Sequence, residues 1–394
     1  RRLTVAVDIT AFWEPLTGIG WYLYRLLEQL AARDDLRLRL YGPTVVESSD
    51  RPLPVVALPS GPALEEVLLP VPGDLAVPAG PLTRLLRRLE PLAIAVDGNR
   101  VLFAPNFVLP RRFALARGRL VATIHDLGSR QVPETLQQET LADLEAKLQR
   151  SIRRATVLIS VSAAVRDELV AAGLAAASHV RVVHHGPGQL ARVRPTAVPA
   201  GVPRRYALHV GTLEPRKNIL VLLAAWRRLR QRLPEAPALV LCGRYGWRSE
   251  EIRSAVEGAA AEGWLTHLGY VAEGELAALY RGAVVVVFPS RYEGFGLPAI
   301  EAQHAHAPLV ASDLPVLREV AGDGALYAPA DDPDELAAQV ERVLTDEPLR
   351  RELVLKGERS AARLSWERSA ADTARIWLEV GGFALLEGPR REPG

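Results

Sequence analysis

The sequence contains little cysteine and little lysine, no methionine and no long apolar run. Its one cysteine, Cys242, excludes an internal disulfide framework and fits a reducing compartment. No window of about eighteen apolar residues occurs, so we expect no segment that spans a bilayer. No apolar signal-peptide core precedes the first strand pattern, which favours a cytoplasmic protein, with contact at the inner face of the membrane left open.

Positive and negative charges nearly cancel, and the formal net charge is +2, so no global field points to nucleic acid as a partner. Lysine and arginine total 48, and most of these are arginine. The lysines are Lys147, Lys217 and Lys356. This preference for arginine over lysine is typical of a biased codon composition, and it makes a lysine inside a motif more informative than usual.

Alternating strand and helix patterns predict an α/β protein of two doubly wound domains, which suits a length of 394 residues. The pattern breaks where glycine and proline cluster between Gly186 and Pro203 and restarts at the strand Tyr206–Val210. The predicted units are a first domain over 1–187, a hinge over 188–204, a second domain over 205–365 and a C-terminal helix, about 366–394, that packs back on the first domain. Such a pair places a ligand in the cleft that faces the carboxyl ends of both sheets.

The strongest local signal follows the predicted strand that ends at Phe288. Glu293 lies in a glycine-containing loop, Pro298 suits the first turn of a helix, and Glu301 lies within that helix. The main-chain amides at the helix start suit an anion such as a diphosphate, and they belong to Phe295, Gly296 and Leu297. The two carboxylates could hold a sugar and a ribose diol. Turn chemistry alone also allows a surface turn with a solvated glutamate at each end.

A second signal, His209 to Asn218, also follows a strand and opens a helix. Arg216 and Lys217 lie beside the unpaired amides of that helix, where they could neutralise a diphosphate leaving group. The alternative is a basic cap on a surface loop.

Together these segments resemble family 4 of the retaining glycosyltransferases, whose fold is GT-B: two Rossmann-like domains that face each other across a cleft. The resemblance covers nearly the whole chain, and the part from Leu208 to Tyr327 carries most of it. The matching motifs are Gly-Thr-Leu-Glu-Pro-Arg-Lys-Asn, Leu-Gly-Tyr-Val, Val-Phe-Pro-Ser-Arg-Tyr-Glu-Gly-Phe-Gly-Leu-Pro and Ala-Ser-Asp-Leu-Pro.

The resemblance implies a role for each matching residue of the second domain. Glu293 matches the first glutamate of the family's Glu-x7-Glu motif, which faces the donor sugar at the reacting centre. Glu301 matches the second glutamate, which binds the ribose hydroxyls. Arg216 and Lys217 match the basic pair on the diphosphate.

In the first domain, Gly18 and Gly20 match the glycine turn that approaches the donor sugar and phosphate, and His125 matches a histidine that lines the sugar site. The glycine turn by itself is a weak signal, because glycines often open helices. For His125 the alternative is a buried imidazole whose hydrogen bonds are satisfied. His184 and His185 precede the hinge and could contact the acceptor.

The sequence departs from the family pattern at two places. Thr212 stands where many members have arginine, so the phosphate contacts depend more on Arg216 and Lys217. The run 302–307 contains two histidines in place of small residues. These histidines share no helix face, so they make a poor metal pair. The resemblance implies a metal-independent reaction without a cofactor.

The expected activity is the retaining transfer of a hexose from a nucleotide sugar to a saccharide or lipid-linked acceptor. GDP-mannose is the first expectation for the donor and a UDP-hexose the second. An epimerase or a pyridoxal-phosphate-dependent phosphorylase on the same fold, and a catalytically inactive nucleotide-binding scaffold, are the alternatives. Residues 81–91 form an amphipathic basic pattern, which suits either anionic lipid or a packed helix with a solvated arginine face.

Overall fold

The computed structural model describes residues 2–13, 18–42, 58–67, 94, 97–110, 113–135, 138–188 and 193–383. The basic segment at 81–91 and the last residues of the predicted C-terminal helix, from 384 onward, lie outside these ranges. Within the described part of the chain, no helix combines the length and the apolar character that a membrane crossing requires.

The first domain contains a seven-stranded parallel sheet of order β3-β2-β1-β4-β5-β6-β7. Its strands are β1 (Leu3–Asp8), β2 (Leu36–Tyr41), β3 (Leu64–Val67), β4 (Val101–Ala104), β5 (Arg119–Ile124), β6 (Ala155–Ser160) and β7 (Val180–Val182). The central strands are short apolar runs buried on both faces, as expected for a parallel sheet covered by helices.

Helices cover this sheet, with bounds α1 (Gly18–Leu30), α2 (Gly128–Gln131), α3 (Gln138–Arg154) and α4 (Ala163–Ala171). Helix α1 buries one apolar stripe, which is the stripe that its sequence period predicts: Tyr22, Leu23, Leu26, Leu27 and Leu30. Ser162 caps α4, because its hydroxyl oxygen accepts a hydrogen bond from the amide of Val165 at 3.2 Å. A serine directly before a helical pattern predicts such a cap from the sequence alone, and the structure confirms it.

The second domain contains a six-stranded parallel sheet of order β10-β9-β8-β11-β12-β13. Its strands are β8 (Tyr206–Val210), β9 (Ala238–Cys242), β10 (Leu265–Gly269), β11 (Val285–Phe288), β12 (Leu309–Ser312) and β13 (Ala325–Ala328). Its helices are α5 (Ile219–Arg232), α6 (Glu250–Ala261), α7 (Glu273–Gly282), α8 (Leu297–His304), α9 (Pro315–Ala321), α10 (Pro333–Thr345) and α11 (Glu347–Ala361). In each sheet the chain first runs from a central strand to one edge and then returns to the centre and runs to the other edge, as in Rossmann sheets.

The last described helix, α12 (Trp366–Gly381), returns to the first domain. Trp377 is fully buried and meets Phe103 of β4 edge to face, with ring centroids 4.9 Å apart. The side chain of Arg119 donates to the carbonyl of Val380 at 2.8 Å. Within the described ranges the chain thus crosses between the domains twice: once between β7 and β8, and once before α12. The limits of the hinge, 188 and 204, stay a prediction.

Candidate active site between the two domains

The site in the second domain lies where its strand order reverses. β8 and β11 are neighbours in the sheet, and their helices leave in opposite directions along it. The loop after β8 carries Arg216 and Lys217, and the loop after β11 carries Glu293. Because the carboxyl ends of parallel strands share one edge, the topology brings these two loops together.

The loops meet in a buried ion-pair cluster. The ammonium Nζ of Lys217 lies 2.5 Å from Oε1 of Glu293, and Nη1 of Arg216 lies 3.2 Å from Oε2 of the same carboxylate. Glu293 is 7% exposed and Lys217 is 8% exposed. The alternatives of a solvated glutamate and of a basic cap on a surface loop are therefore both wrong.

Hydrogen bonds to main-chain carbonyls fix the two loops to each other. Asn218 adopts a left-handed conformation with φ of 62°, and its side-chain amide donates to the carbonyls of Pro289 at 3.0 Å and Ala330 at 2.5 Å. The amide of Arg291 donates to the carbonyl of Arg216 at 2.9 Å. The ion pairs thus join segments that are already held in position.

Glu214 belongs to the same cluster, and sequence reasoning did not single it out. It is 1% exposed, and its Oε1 accepts from Nε of Arg216 at 3.0 Å and lies 2.9 Å from Nη2. Burial raises the pKa of Glu214, although the two neighbouring cations oppose the rise. The available signal was its position two residues before Arg216 and next to Pro215, which predicts a local ion pair.

The cluster sets the charge of its members. Burial alone would raise the pKa of Glu293, but Lys217 and Arg216 outweigh it and lower that pKa, so Glu293 is a carboxylate at neutral pH. Burial opposes the charge of Arg216, yet Glu293 and Glu214 raise its pKa. Two cations and two carboxylates therefore share one buried site next to the helix start.

The helix that follows the Glu293 loop is α8. Gly296 caps it with φ of 95°, a conformation that favours glycine, and Pro298 lies in the first turn. Phe295 and Leu297 flank this glycine at the junction. The sequence prediction of a loop followed by a proline-initiated helix thus matches the structure.

Glu301 lies one turn into α8 and faces different partners from Glu293. The hydroxyl of Tyr280 donates to its Oε2 at 3.0 Å. The α-carbon of Gly188 approaches so closely that a β-carbon there would lie 1.7 Å from Oε1. Burial raises the pKa of Glu301 to about 7, and the Tyr280 hydrogen bond opposes this rise.

In the first domain, His125 follows β5 and lies in an aromatic cluster that reaches across the cleft. Its ring is stacked on that of His185, with centroids 5.4 Å apart and planes 10° apart. Tyr22 meets both imidazoles edge to face, at 4.9 and 4.7 Å. Phe295 of the second domain meets His185 at 4.8 Å, and Trp366 lies 5.6 Å from it.

Burial disfavours the protonated form of both imidazoles. Burial lowers the pKa of His125, against a hydrogen bond to the carbonyl of Pro105 at 2.7 Å, which places the proton on Nε2. Burial and the neighbouring histidines hold the pKa of His185 well below its usual range. His185 is 4% exposed and contacts the second domain through Phe295, which the sequence did not predict.

The glycine turn opens α1, one helical turn before Tyr22. A β-carbon on Gly18 would meet no protein atom within 4 Å, so packing of the chain itself does not require glycine there. Gly20 is buried in the same turn. Among the described residues, no three His, Cys, Asp or Glu side chains are grouped as metal ligands.

Comparison with known proteins agrees with this architecture. Residues 16–187 match the model of the family described as Glycosyltransferase Family 4, and residues 198–360 match that of Glycosyl transferases group 1. The O-antigen chain mannosyltransferase B of Escherichia coli is 32% identical over 395 residues, which cover 92% of this chain and 96% of that protein. This chain belongs to glycosyltransferase family 4.

Other similarities of this glycosyltransferase are more distant or more local. The phosphatidyl-myo-inositol mannosyltransferase of Mycolicibacterium smegmatis is 33% identical over 191 residues, which cover 47% of this chain and 48% of that protein. The structure of sucrose-phosphate synthase from Thermosynechococcus elongatus superposes with a TM-score of 0.71 at 23% identity and covers 97% of this chain and all (100%) of that one. The structure of Anabaena HepE in complex with UDP-glucose superposes with a TM-score of 0.69 at 16% identity and covers 96% of this chain and 100% of that one.

These findings confirm the fold class as GT-B and the activity class as a glycosyltransferase. The relatives are transferases by name, which disfavours the epimerase, phosphorylase and inactive-scaffold alternatives. The roles of the individual site residues stay predictions.

Proposed function

We propose that this glycosyltransferase moves mannose from GDP-mannose to a saccharide or lipid-linked acceptor, with retention of the anomeric configuration and without a metal. The mannosyltransferase names of its relatives support the choice of sugar. The observation that carries the proposal is the pairing of Glu293 with Lys217 and Arg216 at the carboxyl edge of the second sheet.

In the proposed complex, Arg216 and Lys217 bind the diphosphate together with the amides of Phe295, Gly296 and Leu297. The two cations would supply the charge compensation that a metal gives in other transferases. Glu301 would accept hydrogen bonds from the ribose hydroxyls.

The sugar would lie between Glu293, His125 and the turn at Gly18 and Gly20. Both oxygens of Glu293 accept hydrogen bonds from cations, and its pKa is lowered, so it is a weak nucleophile. This supports a front-face reaction. The bond from the anomeric carbon to the phosphate oxygen breaks, an oxocarbenium-like state forms, and the acceptor oxygen bonds to the same face. The acceptor's proton goes to the departing phosphate oxygen.

The test is a thermal-shift panel of GDP, UDP, ADP and their sugar conjugates, with magnesium and with EDTA. A ligand at a hundred times its dissociation constant adds about 2.7 kcal/mol to the stability of the folded state. We expect the largest shift with GDP-mannose, equal in both buffers. Proton NMR of the transferred sugar then gives the anomeric configuration. A shift only with UDP-hexoses would move the donor assignment, a need for magnesium would exclude metal independence, and an inverted product would exclude retention.

A further inference from the structure

Tyr292 joins the two domains through its hydroxyl. It comes from the loop after β11 in the second domain, and its ring is buried. The hydroxyl oxygen accepts a hydrogen bond from the main-chain amide of Leu127 at 2.8 Å, and it donates to Oε2 of Glu168 on α4 at 2.8 Å. Both partners belong to the first domain.

Gly294, two residues along the same loop, is also held by the first domain. The hydroxyl of Ser162 donates to its carbonyl at 2.8 Å, and the same hydroxyl caps α4. The carbonyl of His125 lies directly against its α-carbon. The contacts of Gly294 and Tyr292 therefore reach the first domain from both sides of one residue.

That residue is Glu293. Its main chain lies between two positions that are fixed to the first domain, whereas its carboxylate is bound by Lys217 and Arg216 of the second. The guanidinium of Arg216 also donates to the carbonyl of Tyr292 at 3.3 Å. The location of the carboxylate therefore depends on both domains.

We propose that Tyr292, acting with Glu168, is a positioning residue that places Glu293 at the reacting centre when the two domains are closed. The proposal rests on the proposed role of Glu293. It assigns two functions to two loops. The cations in the loop after β8 bind the diphosphate from the second domain alone, whereas the Tyr292 hydroxyl in the loop after β11 makes the position of Glu293 depend on closure.

Four variants test this. Tyr292→Phe removes the hydroxyl and keeps the ring, Glu168→Ala removes the acceptor, and Glu168→Gln retains an acceptor oxygen. The matched control is Tyr327→Phe, because the hydroxyl of Tyr327 donates to the carbonyl of Gly322 at 2.6 Å within the second domain. We expect kcat to fall about tenfold in Tyr292→Phe and Glu168→Ala, which is the loss of about 1.4 kcal/mol of transition-state stabilisation.

The dissociation constant for the free nucleoside diphosphate of the donor, GDP or UDP, should change less than twofold in both variants. Glu168→Gln and Tyr327→Phe should keep kcat within twofold of the wild type. The double variant of Tyr292→Phe with Glu168→Ala should be no slower than Tyr292→Phe alone, because the hydrogen bond that Glu168→Ala removes is already absent in Tyr292→Phe.

A readout that needs no substrate follows the loop directly. Hydrogen exchange of the peptide 289–296 should become faster in Tyr292→Phe and stay unchanged in Tyr327→Phe. A kcat of Tyr292→Phe within twofold of wild type would overturn the proposal. So would an equal loss of nucleotide affinity, which would assign Tyr292 to donor binding, or unchanged exchange in the loop.

Failure of the underlying role of Glu293 gives a different pattern. If Glu293→Gln keeps near-normal turnover, the proposed mechanism is wrong, whatever Tyr292→Phe does. If Glu293→Gln is inactive and Tyr292→Phe is normal, only the positioning role is wrong.

Discussion

The main-chain carbonyl of His125 and the α-carbon of Gly294 touch across the cleft. A β-carbon on Gly294 would lie 1.8 Å from that carbonyl oxygen and 2.9 Å from Cβ of Asp126. Both obstructing groups belong to the main chain or lie close to it, so neither can rotate away. Glycine at 294 is thus a condition for bringing the two domains together next to Glu293.

Gly294→Ala should therefore hinder closure while each domain stays folded. A clash of this kind costs about 1–3 kcal/mol, which predicts a loss of about 10- to 100-fold in kcat. Affinity for the free nucleoside diphosphate should change little. Steady-state kinetics and the radius of gyration from solution scattering check both points. The control is Gly258→Ala on α6, where a β-carbon would meet nothing within 4 Å. Normal turnover in Gly294→Ala would contradict this account.

Lys217→Met should weaken both folding and donor binding. It leaves a buried carboxylate with fewer partners, and breaking such a pair costs about 3–5 kcal/mol, with the lower end expected because Arg216 stays. Adding Glu293→Gln should restore much of the stability but no activity. Urea denaturation and a turnover assay measure the two effects. If the double variant is as unstable as Lys217→Met, the carboxylate is not what makes the single variant unstable.

Glu301→Gln should affect stability and nucleotide binding with opposite signs. The pKa of Glu301 is raised from 4.5 to about 7, so between these values the folded state binds more protons than the unfolded state. Wild-type stability therefore falls as pH rises through this window. The variant should gain about 2–4 °C in melting temperature relative to wild type between pH 5 and pH 8. It should also bind the nucleoside diphosphate about tenfold more weakly, since the amide accepts fewer ribose hydrogen bonds. A melting-temperature difference that is independent of pH would rule out the raised pKa.

Buried His209, in strand β8, predicts that the protein loses stability in acid. It is fully buried, its Nδ1 donates to the carbonyl of Val287 at 3.0 Å, and burial lowers its pKa from 6.5 to about 4. Below pH 6.5 the unfolded state binds the proton first, so stability is lost as pH falls toward 4. Asparagine retains a donor for Val287, so His209→Asn should lose less stability than wild type over pH 6.5 to 4. Parallel melting curves against pH for both proteins would exclude His209 as a source of this loss.

The local elements could be predicted from the sequence because their periods are local. Apolar runs in the sequence predict strands at Leu3–Asp8, Leu36–Tyr41, Val101–Ala104, Tyr206–Val210 and Ala238–Cys242, and these are the bounds of β1, β2, β4, β8 and β9. Helix α1 buries the stripe that its apolar spacing predicts. Helices α2, α3, α9 and α11 and strands β3 and β13 were not predicted. Helix α3 is strongly polar, and β13 buries only its two end residues, which are alanines, so neither gives a clear apolar period.

What the sequence by itself determined is the set of chemical groups: a basic pair after one strand, a glutamate and a helix start after another, and a histidine at the end of a third. Only the tertiary structure decided their relations. Lys217 and Glu293 are 76 residues apart in the chain, and their ion pair exists because β8 and β11 are neighbours in the sheet. The contacts of Tyr292, Gly294 and His185 join separate domains, where no local pattern can specify a partner. Short-range periodicity fixes which face of an element is buried, whereas long-range packing fixes what that face meets.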